Sequence, residues 1–489
     1  MQSAGKHNVT VYYSQPACYL KSLHNANLSW PSKSDDFFPY ASDVHSYWTG
    51  YFSSRPTLKG FIRKVNAMLQ MCRQLDTNMG LGPSDISDIG VIKKATALTQ
   101  HHDAITGTAK QHVTNDYNKR LYKGVKECEQ IINDAFAKRM RESNAISNGA
   151  VSRQYLCPQL NVSVCNVSQT GHKFTVTAFN ALSRSVSYHL RVPVPSTNYE
   201  VTYNAKEIEA DVVPVQDSQA NIDGAAARYE IVFKADLPTM GYRSYTVDKT
   251  NKSQIKTKIA RSYGLKKSLS RTESPHVFKN QAFTISNEKI ELVFDSYGRL
   301  SQIVNKEDHV SANVQQDLMY YKSSNKSDQP SGAYIFRPNG SLADHIQPGA
   351  VRVRIIKGKY VQEVQQSFAD WATQVVRLYE NTTVAEFEWT VGPIPVDELN
   401  SVGKEVITRF KSDIENGDKF YTDANGRQIV ERQLNYQPQY PYNNSEPVAG
   451  NYYPVNTRIF IKDSDKQLTI LTDRAQGGSS LHEGQMELM

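Results

Sequence analysis

The sequence predicts a multidomain α+β chain in which a three-helix bundle is followed by a β-sandwich and then a large all-β region. Three observations predict it. At 489 residues the chain is too long for one hydrophobic core. Apolar residues recur at helical spacing between Leu58 and Phe136, and beyond Gly149 the spacing changes to period two, which persists to the C-terminal end. With 39% hydrophobic and 10% aromatic residues, 28 of them Tyr, and 21% charged residues, the composition is that of a folded chain.

The first forty residues hold a short strand-like run, Val9-Thr10-Val11-Tyr12-Tyr13, and then loop-rich sequence through Trp30-Pro31 and Asp35-Asp36-Phe37-Phe38-Pro39-Tyr40. Residues 1–40 read as the tail of a domain whose body lies upstream. From Arg55-Pro56, the apolar positions Leu58, Phe61, Ile62, Val65, Met68, Leu69, Cys72 and Leu75 fall on one helical face. Gly80 to Asp85 breaks that helix. Helical spacing resumes at Ile89, Ile92, Ala95 and Thr99 and runs toward His101-His102-Asp103, with Gly107 marking a turn beyond. A third helix follows through Val113, Tyr117, Leu121, Cys128, Ile132 and Phe136, so residues 41–148 read as the bundle.

Within 155–250, the runs Lys173 to Phe179, Tyr188 to Val192 and Tyr229 to Phe233 alternate as half-buried strands do, with Pro193, Pro195 and Pro238 near their ends. A β-sandwich is the expected packing. The basic, polar stretch from Lys249 to Glu273 reads as a linker. Alternation returns over 274–489, for example in Ile290 to Phe294, before the turn Ser296-Tyr297-Gly298-Arg299, and in Ala385 to Val391. Gln485-Met486-Glu487-Leu488 looks like an unfinished strand, which suggests a truncated final domain.

The net charge of +7 is scattered, with no basic block to bind nucleic acid. No apolar run approaches the roughly 20 residues of a membrane helix, and Met1 to Lys6 lacks the apolar core of a signal peptide. Asn-x-Ser/Thr nevertheless occurs at Asn8, Asn27, Asn161, Asn166, Asn251, Asn325, Asn339, Asn381 and Asn443, roughly twice the chance expectation, which points to the secretory route. Cys157 and Cys165 bracket a polar segment in the manner of a stapled loop, though two unrelated thiols fit as well. Cys72 and Cys128 lie on apolar helix faces where they could meet, which leaves Cys18 over and suggests a partner upstream of Met1.

His101-His102-Asp103 is the densest cluster of ligand-type side chains. Imidazole and carboxylate are preferred zinc ligands, and a neighbouring acid can orient a ligand or accept a sugar hydroxyl. Consecutive helical residues diverge, so one or two of the three could share a metal. Periodicity turns His102 to the inner face with Ile92, Ala95 and Thr99, and the bare pattern favours a structural or surface role. Asp35-Asp36 would point to opposite faces of an extended segment, which argues against the paired carboxylates of glycoside hydrolysis and for a loop or helix-entry feature. Tyr334, in Ser331-Gly332-Ala333-Tyr334-Ile335-Phe336, could reach a ligand, and taken alone it reads as a packing residue.

Together these segments resemble the central and C-terminal regions of glycoside hydrolase family 38 α-mannosidases, most closely the lysosomal branch. The runs that carry the resemblance are Tyr13 to Leu20, Asp35 to Ala41, Tyr47 to Pro56, His101 to Val113, Ser331 to Phe336 and Asp473 to Leu481, and they occur in family order. The resemblance implies a retaining exo-mannosidase that removes terminal α-mannose from N-glycans, with one zinc ion per complete enzyme bound by two His and two Asp. It implies that His102 is a zinc ligand, that Asp103 and Tyr334 contact the sugar, and that Cys72 pairs with Cys128 and Cys157 with Cys165. It further implies that residues 1–40 are the remnant of a β/α catalytic domain and that the last region is supersandwich-like. The nucleophile, the acid/base carboxylate and the other zinc ligands are expected upstream of Met1, so this chain has no catalytic carboxylates and an incomplete metal site. A lysosomal or secreted location follows, with a mannose-containing oligosaccharide and the missing N-terminal domain as partners. The alternative is a non-catalytic carbohydrate-binding or interaction protein derived from such an enzyme.

Overall fold

The computed structural model describes residues 2–3, 10–82, 89–142, 152–216, 226–252, 254–263, 281–396 and 402–489. Three helices form the bundle: α2 (Pro56–Met79), α3 (Gly90–Leu98) and α4 (Gln111–Glu142), preceded by a short α1 (Pro16–Asn25). Their apolar stripes meet in one core in which Ile62, Val65 and Leu69 of α2 face Ile92 of α3 and Leu121, Val125 and Ile132 of α4. Gly124 lets α3 cross α4 closely, because a Cβ there would stand 2.7 Å from the Ile92 Cα. Cys72 and Cys128 join α2 to α4 as a disulfide, Cys157 bonds Cys165, and Cys18 is free and exposed.

Two four-stranded sheets make the sandwich. One orders Lys173–Phe179, Tyr242–Lys249, Tyr199–Tyr203 and Lys206–Ile208; the other orders Thr257–Ile259, Ala210–Pro214, Tyr229–Leu237 and Val186–Val194. Phe174, Tyr199 and Val247 from the first pack on Val212, Ile231 and Phe233 from the second. In the following region a nine-stranded sheet, built around Val310–Lys322 paired with Lys404–Ser412, packs on a five-stranded one, and Leu292, Phe294 and Val314 meet Ile355, Val364 and Val376. A further four-stranded sheet encloses Phe420, Ile459 and Ile461 against Met486 and Leu488. Gln485–Leu488 is paired on both sides, with Lys404–Ser412 and with Gln476–Ser479.

The fold departs from the sequence expectations in three places. Residues 16–25 are helical rather than loop, started by Pro16 at the first helical position; none of its residues is buried, so it carries no apolar stripe to read. The strand expected at Val9 to Tyr13 contracts to Thr10–Val11, paired with Gln2–Ser3, and Val9 lies outside the described residues. In the expected linker, Thr257–Ile259 adds to the sandwich and Arg261–Tyr263 to the five-stranded sheet, so this stretch straps the two β regions together, while 264–273 lie outside the described residues.

Charge also joins the β regions. Arg191 of the sandwich donates to Glu388 at 3.1 Å and lies 3.4 Å from Glu230, while Arg377 bonds both Glu388 and Glu363. Burial pushes the Glu388 carboxyl up, but the charges of Arg377 and Arg191 outweigh it and bring the group down to about 2. A carboxyl depressed on folding adds stability that is present above its unfolded value near 4.5 and lost as pH falls through about 2. Glu388→Gln should therefore cost about 3 kcal/mol in urea melts at pH 7 and much less at pH 2.5. Equal destabilisation at both pH values would show that shape rather than charge matters at this junction.

Candidate metal and sugar site

Helix α3 ends at Leu98, where the hydroxyl of Thr99 folds back to the carbonyls of Ala95 and Thr96 at 3.1 and 3.0 Å. Residues 101–107 then form successive turns. The helical period consequently stops before the histidines, and Ala104, 0% exposed, takes the inward position that periodicity assigned to His102. The His102 side chain instead stands 83% exposed.

Leaving the helix also brings the three side chains together. His101 Nε2 lies 3.2 Å and His102 Nε2 3.8 Å from Asp103 Oδ2, the two rings are 4.3 Å apart, and one ligand atom from each residue falls within 4.8 Å of the others. The divergence expected of consecutive helical residues therefore does not apply here. Asp103 is held from its other oxygen by the Thr108 hydroxyl at 3.0 Å, and its carbonyl accepts from the Ala109 amide. Gly107, at φ +75°, closes the turn against Ser54.

Tyr334 reaches the same turn from 226 positions further along the chain, its phenol donating to the Thr108 carbonyl at 3.4 Å. Its loop is pinned to the segment before α2, since the Gly50 amide donates to the Tyr334 carbonyl at 3.1 Å and the Ser54 hydroxyl to Ala333 at 2.7 Å. Behind it, Arg337 bonds Asp328, Glu446 and the Gln329 carbonyl. Trp48 packs edge to face on Tyr334 at 5.5 Å and on Tyr40 at 5.5 Å. Asp35 and Asp36 have other partners: Asp35 pairs with Lys33 at 2.5 Å, and Asp36 makes a bidentate pair with Arg432 that ties the N-terminal segment to the C-terminal four-stranded sheet.

Sequence reasoning gave no role to Thr108, Trp48 or Lys59. Lys59 is the least legible, since it borders the apolar stripe of α2 and nothing local shows that its ammonium ends beneath the 101–107 turn, on the Ile105 carbonyl at 2.7 Å.

Comparison with known proteins locates this geometry in a family. Residues 46–138 match the alpha mannosidase middle domain and residues 285–489 the glycosyl hydrolases family 38 C-terminal domain. Lysosomal alpha-mannosidase of Homo sapiens is 44% identical over 100% of this chain and 47% of its own length, and that of Mus musculus 42% identical over 98% and 46%. An alpha-mannosidase of Arabidopsis thaliana is 34% identical over 98% of this chain and 48% of its own. The chain thus spans about half the length of the curated relatives it matches. A crystal structure of an alpha-mannosidase from Enterococcus faecalis V583, 13% identical, superposes with a TM-score of 0.61 over 97% of this chain and 55% of that one, which shows a shared fold. The chain belongs to glycosyl hydrolase family 38, whose middle and C-terminal domains it carries.

Proposed function

We propose that this chain forms the metal-binding and sugar-orienting side of a zinc-dependent, retaining α-mannosidase that removes terminal α-mannose from glycoprotein oligosaccharides. The observation that carries the reading is the meeting of His101, His102 and Asp103 with Tyr334 at one exposed surface, in a chain of this family.

The donor set fits zinc. Zinc prefers imidazole nitrogen, and the two histidines bring Nε2 atoms to within 3.2 and 3.8 Å of the Asp103 carboxylate that would border the metal. His102 would be the ligand and Asp103 the acceptor for a sugar hydroxyl, with His101 a second nitrogen within reach. When bound, zinc would hold vicinal hydroxyls of the terminal mannose and fix the ring while positive charge develops at the anomeric carbon. Tyr334 and Trp48 would provide an aromatic wall, and the Tyr334 phenol a polar contact.

Cleavage with retention takes two carboxyl groups about 5–5.5 Å apart. Among the described residues Asp103 is the carboxylate this site offers, since Asp35 and Asp36 are engaged elsewhere. In this reading the nucleophile, the acid/base and the remaining zinc ligands come from polypeptide outside these residues. Exposure of Val11, Tyr12, Tyr13, Tyr19, Leu20, Trp30 and Phe37 in one N-terminal stretch supports such a covering partner. A lysosomal or secreted location is supported by the two disulfides and by the exposure of every described sequon asparagine: Asn27, Asn161, Asn166, Asn251, Asn325, Asn339, Asn381 and Asn443. Asn8 lies outside the described residues, and no described helix is long and apolar enough to cross a membrane.

A single carboxylate at the site among the described residues also suits a sugar-binding protein without catalysis, and turnover after restoring a catalytic domain separates the two readings. Zinc binding tests both. Calorimetric titration of the chain should give one zinc site at least roughly a hundredfold weaker than closed four-ligand structural sites, and His102→Ala should remove it. Zinc binding that ignores His102, or none at all, would count against the assignment.

A further inference from the structure

The Lys59 side chain is 2% exposed. Its ammonium meets no carboxylate among the described residues and donates to the Ile105 carbonyl at 2.7 Å. Burial without a counter-ion opposes the charged form and brings the group down to about 7, so a methionine of similar length would suit this position better as packing. The hydrogen bond, however, lands in the turn that presents His101, His102 and Asp103. Arg55, four residues earlier, holds the same turn: its Nη1 donates to the Gly107 carbonyl at 3.2 Å from a residue whose own backbone is left-handed at φ 54°. A non-glycine residue in that conformation is strained, and strain is retained where surrounding contacts fix a geometry. Both cations therefore grip carbonyls on the inner side of the turn, while its outer side carries the imidazoles and the carboxylate.

We propose that Lys59, together with Arg55, is a positioning residue that clamps the Ile105 and Gly107 carbonyls and so sets the spacing of His101, His102 and Asp103. This rests on reading the turn as a metal site, and the experiment separates the two ideas. Lys59→Met in the whole 489-residue chain keeps the length of the side chain and removes its donors. Its melting temperature should stay level or rise, because a buried charge is gone. Amide hydrogen exchange over residues 104–109 should nevertheless quicken about tenfold, and zinc affinity should fall about tenfold. A residue that only packs would give the same melting temperature, since methionine packs at least as well there, but no local change in exchange. Arg55→Met should move exchange and affinity in the same direction, and it serves as the test should Lys59→Met not fold. Unchanged exchange over 104–109 in a folded variant overturns the clamp. If exchange responds but the wild-type chain binds no zinc, the clamp stands and the metal reading fails.

Discussion

Purified as these 489 residues, the protein is expected to hydrolyse no aryl α-mannoside above background. Metal and sugar contacts can hold a mannose in place, but with Asp103 the one carboxyl group that the described residues bring to the candidate site, neither covalent catalysis nor protonation of the leaving oxygen is expected, a loss of roughly 10⁴-fold or more. Fusing or mixing the chain with a family 38 N-terminal catalytic domain should restore turnover, and the site residues can then be ranked. His102→Ala should lower zinc occupancy and activity together, the latter by about 100-fold, because a tetrahedral site loses one donor. Asp103→Asn should leave the metal largely in place and slow turnover, since it keeps the shape of the side chain and removes the negative acceptor held at 3.0 Å by Thr108. Tyr334→Phe should be mildest, costing about 1–3 kcal/mol if it loses one hydrogen bond to substrate. Clear turnover by the unaided chain, abolished by Asp103→Asn, would show that it contains its own catalytic carboxylates. A restored enzyme indifferent to His102→Ala would remove the basis for the metal assignment.

Elements defined by a buried stripe were legible in the sequence, and contacts between distant segments were not. The stripe from Leu58 to Leu75 and the strand over Lys173–Phe179 could be read because burial imposes a period on neighbouring residues. Helix α1 buries nothing and so left no period. At His102 the period was continued past the point where Thr99 and the following turns end the helix, which reversed the inferred direction of the side chain. The polar stretch before Arg261 looked like a linker by composition, yet Thr257 is buried and Ala260 packs with Val213 and Val232 of the sandwich and Ile356 and Val361 of the region beyond. The site itself depends on chain-distant pairs, such as Tyr334 with Thr108 and Asp36 with Arg432, which leave no mark on local spacing. The resemblance to family 38 singled out His102, Asp103 and Tyr334 together, and the structure brings Tyr334 to the turn that carries the other two.

Gly107 is where backbone geometry and the candidate site depend most directly on one another, and Gly107→Ala should be the most damaging small substitution in the turn. Its φ of +75° disfavours any side chain, by about 1–2 kcal/mol. An added Cβ would also stand 2.2 Å from the Ser54 carbonyl oxygen, too close to accommodate without moving backbone, which adds about 1–3 kcal/mol. Ser54 cannot easily retreat. Its amide donates to Gly50 at 3.1 Å and its hydroxyl to Ala333 at 2.7 Å, so a displaced Ser54 drags the loop carrying Tyr334 away from Thr108. Urea melts should therefore record a loss of about 4 kcal/mol. Because the same clash separates the two halves of the site, zinc affinity in the folded fraction should fall as well, with faster amide exchange both in residues 101–109 and in the Ser331 to Phe336 loop. A Gly107→Ala protein as stable as the wild type, with exchange unchanged in the second of these segments, would mean that the turn and the Tyr334 loop are not mechanically joined through Ser54.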